Sequence, residues 1–336
     1  MHNLRLVVDQ CRCQFVYSKD GCLLPLALNK DGRLAVNRLV SDATALEIVG
    51  LGGGRYGLKK NNLFLSAQSR ELVALMKENC RAWEIFRFDG NVAPHGLSTE
   101  LAYLAAMECV EGWLDNTAAG IIHRLLRLQV AYGIAGNVLE IGVHHGRLFI
   151  LLLASLESNE RGIAVDLFED QHLNQSHSGR GDRDILERNI VRYVPRARVE
   201  LIQANSMDLG ESFIGAHRGV RFVSVDGAHT REATCSDLFL VERLLVPGGI
   251  VALDDIYRPD WSGVTAGLHR YYDKGGTLIP FAIIPNKVLF ASSVHYARDY
   301  RDVVRNEFAF SLDRIGEFMR RQQFFEFDDV LYCPAA

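Results

Sequence analysis

Val138-Leu139-Glu140-Ile141-Gly142-Val143-His144-His145-Gly146-Arg147-Leu148-Phe149-Ile150-Leu151 is the stretch whose reading decides the fold. Its apolar run at 138–141 is the length of a buried strand, breaks at two glycines, and resumes as a helical pattern over 148–156. The same alternation continues outward. Strands are expected at 162–165, 199–202, 220–225 and 250–253, and helices at 184–193, 232–245 and 264–272. Strands alternating with helices predict an α/β fold, a parallel sheet covered on both faces. Two last apolar runs, 278–284 and 288–291, are separated only by Pro285-Asn286-Lys287, too short for a parallel crossover, so an antiparallel hairpin closes the sheet. Ahead of the sheet, Ser98-Thr99-Glu100 is a capping signal, and apolar steps of three and four predict helices within 98–132.

Before residue 95 the pattern is different. Short apolar runs at 4–8, 14–17, 23–28, 33–36, 46–49, 63–65 and 83–88 are separated by Gly, Asn and Asp clusters, the signature of antiparallel hairpins. Two domains are therefore expected: a small all-β domain over 1–95, and an α/β domain over 96–336 with a C-terminal extension from 294. Gly52-Gly53-Gly54-Arg55-Tyr56-Gly57 spells a dinucleotide-binding motif, but a strand-like run rather than a helix follows, so it reads as a hairpin. Leu46-Glu47-Ile48-Val49 is echoed by Trp83-Glu84-Ile85-Phe86, and this pair weakly resembles β-trefoil or fascin-like repeats.

The chain has 336 residues, 48% hydrophobic and 23% charged, with a formal net charge of -4. A full core is expected, and no basic footprint for a nucleic-acid backbone is present. No apolar run is long enough to cross a membrane. The seven cysteines are scattered without a metal-binding spacing, which predicts reduced thiols and a cytoplasmic location.

In an open α/β sheet, ligands bind beyond the carboxyl ends of the strands. Glu140, Gly142 and Gly146 follow the first strand. Asp166 lies 20 residues beyond Gly146 at the end of the second, where a carboxylate binds ribose hydroxyls. NAD shares that carboxylate and is a rival cofactor. Asp226 ends the fourth strand and Asp254-Asp255 the fifth, which makes them neighbours. Three converging carboxylates call for a hard cation such as magnesium, unless they are solvated loop acids. His229 follows Asp226 by three residues. His144 and His145 read as plain loop residues, zinc being unexpected without a third ligand. The polar loops with Gln171, Asn174 and Ser178, and with Tyr257, Arg258 and Trp261, suit an acceptor pocket.

From about residue 117 to 292 these motifs resemble the class I S-adenosylmethionine-dependent methyltransferases. The run Asp226-Gly227-Ala228-His229, with Asp237, Pro247-Gly248-Gly249 and Leu253-Asp254-Asp255, is similar to the branch containing metal-dependent sugar O-methyltransferases of antibiotic biosynthesis. The resemblance implies a Rossmann-like sheet of seven strands ending in the antiparallel hairpin. It implies S-adenosylmethionine held by Glu140, Gly142, His144, Gly146, Asp166, Leu167, Asn205, Ser206 and Asp226, with Asn205 standing where Asp is more usual. It also implies Mg2+ on Asp226, Asp254 and Asp255, His229 as base, and a hydroxylated small-molecule acceptor, a sugar or glycosylated natural product. Two other readings stay open: a non-O-methylating enzyme on the same fold, and a β-rich binding module fused to an inactive domain. Residues 294–336, helical over 298–321 and aromatic over 324–332, are expected to pack on the sheet or on a second subunit of a homo-oligomer.

Overall fold

The computed structural model describes residues 99–308 and 320–333, and before them the backbone of nine strands. Those strands are β1 (Asn3–Asp9), β2 (Arg12–Lys19), β3 (Cys22–Leu28), β4 (Leu34–Val36), β5 (Glu47–Gly52), β6 (Arg55–Lys60), β7 (Leu63–Ala67), β8 (Ala74–Lys77) and β9 (Phe86–Arg87). β1 to β4 form one sheet in chain order, and β5 to β8 another, with β9 on β6. Gly52 pairs with Arg55 and Gly50 with Tyr56, so the glycine-rich motif is a hairpin, as its flanking pattern predicts. The trefoil-like echo rests on residues 46 and 83–85, which lie outside the described residues.

The α/β unit opens with α1 (Thr99–Ala106), a short 3-10 turn and α2 (Asn116–Ala131). Asp115 caps α2, its Oδ1 accepting from the amides of Thr117 and Ala118 at 2.7 and 3.2 Å. Then follow β10 (Asn137–Ile141), α3 (Arg147–Ala154), β11 (Gly162–Asp166), α4 (Arg183–Tyr193), β12 (Val199–Gln203), α5 (Glu211–His217), β13 (Val220–Val225), α6 (Arg231–Glu242), β14 (Leu245–Asp254), α7 (Ser262–Asp273), β15 (Ile279–Ile284), β16 (Lys287–Ala291), α8 (Val294–Phe308), β17 (Arg320–Phe324) and β18 (Phe327–Tyr332).

The sheet order is β12-β11-β10-β13-β14-β16-β15-β18-β17. Its first five strands are parallel, and β16 is antiparallel to both β14 and β15, so the closing hairpin is as expected. Nine strands replace the seven anticipated, because the C-terminal extension adds β18 parallel to β15 and then β17. Residues 320–333 therefore pack on the sheet. Arg320 and Arg321 are in a strand rather than at the end of a helix, and the helix of this extension is α8, beginning at Val294. The helix expected to run to residue 245 stops at Glu242, because Pro247-Gly248-Gly249 belongs to the long strand β14.

Apolar side chains fill both faces. α1 to α4 and α8 seal one, with Ile121, Ile122, Leu125 and Leu126 fully buried, and α5 to α7 seal the other. At the end of the sheet remote from the strand carboxyl termini, the completely buried Arg221 donates Nε to Glu160 Oε1 and Nη2 to Glu160 Oε2, each at 3.0 Å. It also donates to Gln129 Oε1 and the Ser155 carbonyl, so the buried charge is neutralised and its donors are engaged. Strand order reverses between β10 and β13, which opens a crevice beyond their carboxyl ends.

Candidate active site

That crevice is a cavity of about 440 Å³, within the range of small-molecule and cofactor sites. The turn after β10 forms one wall. Gly142 has φ +82, and a Cβ there would lie 1.9 Å from the carbonyl oxygen of Asp226. The glycine thus serves contact between the β10 and β13 ends, rather than only access for a ligand. Gly146 has φ +89 at the start of α3, and a Cβ would meet Leu186 at 2.5 Å; it is not in the cavity wall.

Asp166 ties the wall together. Its Oδ2 accepts from the amides of Val143 and His144 at 2.8 and 2.9 Å, and its Oδ1 from Phe168 at 3.1 Å. A carboxylate at the end of β11 thereby fixes the β10 turn while facing the cavity, which it lines together with Leu167. The 171–181 loop crosses above it, and a Cβ on Gly181 would touch the carboxylate at 2.7 Å, so only glycine allows this approach. The loop is internally bonded. Asn174 Nδ2 donates to Gln171 Oε1, to the Ser178 carbonyl and to the Gly179 carbonyl. Asn205 and Ser206 line the cavity after β12, and Asn205 caps a short 3-10 turn by accepting from the Met207 amide at 3.1 Å.

The opposite wall is charged. His229 Nε2 lies 2.8 Å from Asp255 Oδ2 and 3.8 Å from Asp226 Oδ1, its Nδ1 lies 3.1 Å from Ser178 Oγ, and its ring stacks on Trp261 at 4.3 Å. Burial works against the imidazolium, but the carboxylates of Asp226 and Asp255 prevail and lift its pKa to about 9. Asp255 is held below the usual carboxylate range: its burial is outweighed by His229 and by the Asn286 amide. Its backbone has φ +58, an uncommon conformation for a residue with a side chain and one that concentrates at functional sites.

Asp254 also lines the cavity, but its carboxylate is engaged by the Lys287 ammonium, by Asn286 Nδ2 and by the Asp255 amide. Asp226, His229 and Asp255 present ligand atoms within 4.8 Å of one another; Asp254 is not in this group. Glu140 is buried below the cavity, opposite Ser224 of β13, rather than in its wall. Burial and the nearby Asp226 charge push its carboxyl well above its ordinary value, against the pull of Lys287. Tyr257 also lies outside the wall, whereas Arg258 and Trp261 are in it. Sequence reasoning missed Trp113 and Asn286, both in the wall. Asn286 stands in the turn that the hairpin argument identified, one residue before a lysine; Trp113 carries no local signal.

Fold and site define a Rossmann-like domain whose cavity is lined by Asp166 and by the Asp226–His229–Asp255 cluster. Residues 139–256, from β10 past the end of β14, match the family model described as a methyltransferase domain. Solved structures similar to the chain include the O-methyltransferase NovP, at 16% identity over 51% of this chain and 78% of that one, with a TM-score of 0.41. An O-methyltransferase from Bacillus cereus in complex with SAH is 20% identical over 60% and 93% of the two chains, with a TM-score of 0.40. The calicheamicin methyltransferase CalS11 is 14% identical over 61% and 98%, with a TM-score of 0.41. No curated protein matches the chain in sequence. Among the described residues no helix is long and apolar enough to cross a membrane.

Proposed function

We propose that this chain is an S-adenosylmethionine-dependent O-methyltransferase acting on a hydroxyl of a small molecule, a sugar or glycosylated natural product being the class the site suits. The observation that carries this reading is that Asp166 and the Asp226–His229–Asp255 cluster line one cavity. Asp166 has the position and exposure to accept ribose hydroxyls, with Asn205 and Ser206 at the adenine side. The β10 turn, which Asp166 already holds, would form the wall against which the cofactor rests. When bound, S-adenosylmethionine supplies the methyl group.

Asp226 and Asp255 would hold a divalent cation, with His229 as a third group at its edge. When bound, such a cation lowers the pKa of a substrate hydroxyl. Without it, the protonated His229 balances the two carboxylates, its Nε2 facing Asp255 and its Nδ1 facing Ser178. The base role requires the imidazole to be neutral, which added positive charge at the two carboxylates favours. Ser178 orients the ring through Nδ1, and Trp261 keeps one face dry. Arg258 and Gln171, at the rim, offer donors suited to sugar hydroxyls. We further assign 1–95 to a separate β-rich domain and 96–336 to the catalytic one, in a cytoplasmic enzyme.

Calorimetric titration with S-adenosylhomocysteine tests the reading. Micromolar binding to the native protein, lost in Asp166→Ala, is expected. Absence of binding to a folded native protein, with and without magnesium, would overturn it.

A further inference from the structure

A second cluster stands at the other end of the cavity wall. Glu111, in the segment between α1 and α2, and His144 and His145, in the β10 turn, bring one ligand atom each within 4.8 Å of one another. The two imidazole rings stack at 3.8 Å. His145 is 6% exposed, and the Nδ1 atoms of both histidines are buried. His145 Nδ1 is 3.2 Å from Glu111 Oε2, so a buried imidazole and a carboxylate already face each other here. His144 meets the backbone of the same glutamate.

The scaffold around them is fixed. Arg147, the first residue of α3, donates Nε to the Val110 carbonyl at 2.7 Å and Nη1 to the Gly112 carbonyl at 2.6 Å. These bonds bracket Glu111 and hold its backbone against the histidines. Asn189 Nδ2 donates to the His145 carbonyl at 2.9 Å and steadies the other side.

We propose that Glu111, His144 and His145 form a binding site for a divalent transition metal, zinc by preference, separate from the Asp226–His229–Asp255 cluster. Two imidazoles and one carboxylate are a donor set that suits zinc, and three protein ligands leave a fourth position open. His144 and His145 alone lack a third zinc ligand, and the fold brings Glu111 to that place from 33 residues upstream of His144. Because His144 lines the cavity beside Trp113, metal bound here stiffens the wall against which the proposed cofactor rests. The site itself does not depend on the methyltransferase reading.

The test uses the full chain, freed of metal with chelator, titrated with Zn2+ against a chromophoric competitor and separately with Co2+ followed by visible absorption. Glu111→Gln is the decisive variant, since the Glu111 side chain is 72% exposed and its replacement does not threaten the fold. His145→Ala and Asp255→Asn accompany it. The proposal expects Asp255→Asn to keep a Zn2+ site with the Co2+ bands of imidazole ligation, whatever further cation the native protein holds at Asp226 and Asp255. Glu111→Gln and His145→Ala should each weaken that binding by at least about tenfold, the smallest loss usual even for an outer-sphere partner. No Zn2+ binding by the native protein, binding undiminished in Glu111→Gln, or binding abolished by Asp255→Asn alone would each overturn it.

Discussion

The ammonium of Lys287 rests on the carboxylate of Asp254, both side chains 3% exposed. Burial and the charge of Asp226 raise the Asp254 pKa well above its ordinary value, and Lys287 and its hydrogen bond oppose this. Lys287 is lifted above its own ordinary value, because the surrounding carboxylates outweigh its burial. The pair thus supplies an internal cation beneath the acid cluster. Lys287→Met leaves Asp254 buried without its counter-ion and is expected to destabilise the domain by about 3–5 kcal/mol. Lys287→Met with Asp254→Asn should recover a substantial part of that loss. Urea unfolding of the single and double variants checks both, and a double variant no more stable than the single would contradict the pairing.

Asp237 on α6 is 1% exposed, and the Ser206 hydroxyl lies at its carboxylate. Burial lifts its pKa from 3.8 to about 7, with the Ser206 hydroxyl pulling the other way. The folded chain holds a proton that the unfolded chain releases between these values. The protonated carboxyl is therefore tolerated at low pH, and stability falls as pH rises from about 4 to 7, then levels off. Asp237→Asn removes this dependence. Relative to the native protein it should gain about 4 kcal/mol at pH 8 and little at pH 4.5. Paired unfolding curves at the two pH values decide it; equal differences at both would show that Asp237 is not protonated in the fold.

His229 has a pKa near 9 because two carboxylates face it against the cost of burial. In chelator-treated Asp255→Asn the nearer carboxylate, at 2.8 Å, is gone, and the imidazolium is left with Asp226 at 3.8 Å. Its pKa should fall by at least about one unit, the size of shift a close opposite charge produces. NMR titration of the His229 ring protons measures this. An unchanged midpoint would mean that Asp255 does not set the protonation of this group.

The alternation of strands and helices, the closing hairpin and Asp166 were all legible in the sequence, because each follows from local periodicity or from a residue at a strand end. Two features were not. Asp254 and Asp255 are adjacent, chemically alike and both at the cavity, yet one pairs with Lys287 and the other with His229; their directions depend on the φ +58 backbone of Asp255 and on the hairpin turn with Asn286. Strand β18 was hidden because its apolar run reads equally well as any covering segment, and its partner β15 lies more than 40 residues back. The glycine turn was found, but with its physical reason incomplete. Spacing reveals that a backbone needs space, not which atom takes it.

That atom, at Gly142, is a carbonyl oxygen. A Cβ there would sit 1.9 Å from Asp226 O, where the β10 and β13 ends meet, and φ +82 disfavours any side chain. Gly133 has a similar φ of +71 but nothing within 4 Å of a Cβ. The two glycines separate backbone strain from steric conflict. Gly133→Ala should cost about 1 kcal/mol, the ordinary penalty of a left-handed L residue. Gly142→Ala adds a clash with backbone that cannot rotate away, and should cost more than about 3 kcal/mol or prevent folding, beyond what strained backbone alone accounts for. Thermal unfolding of the two variants side by side measures the difference. Equal losses would mean that the β10 and β13 ends are free to part, and that the wall of the cavity is softer than its contacts indicate.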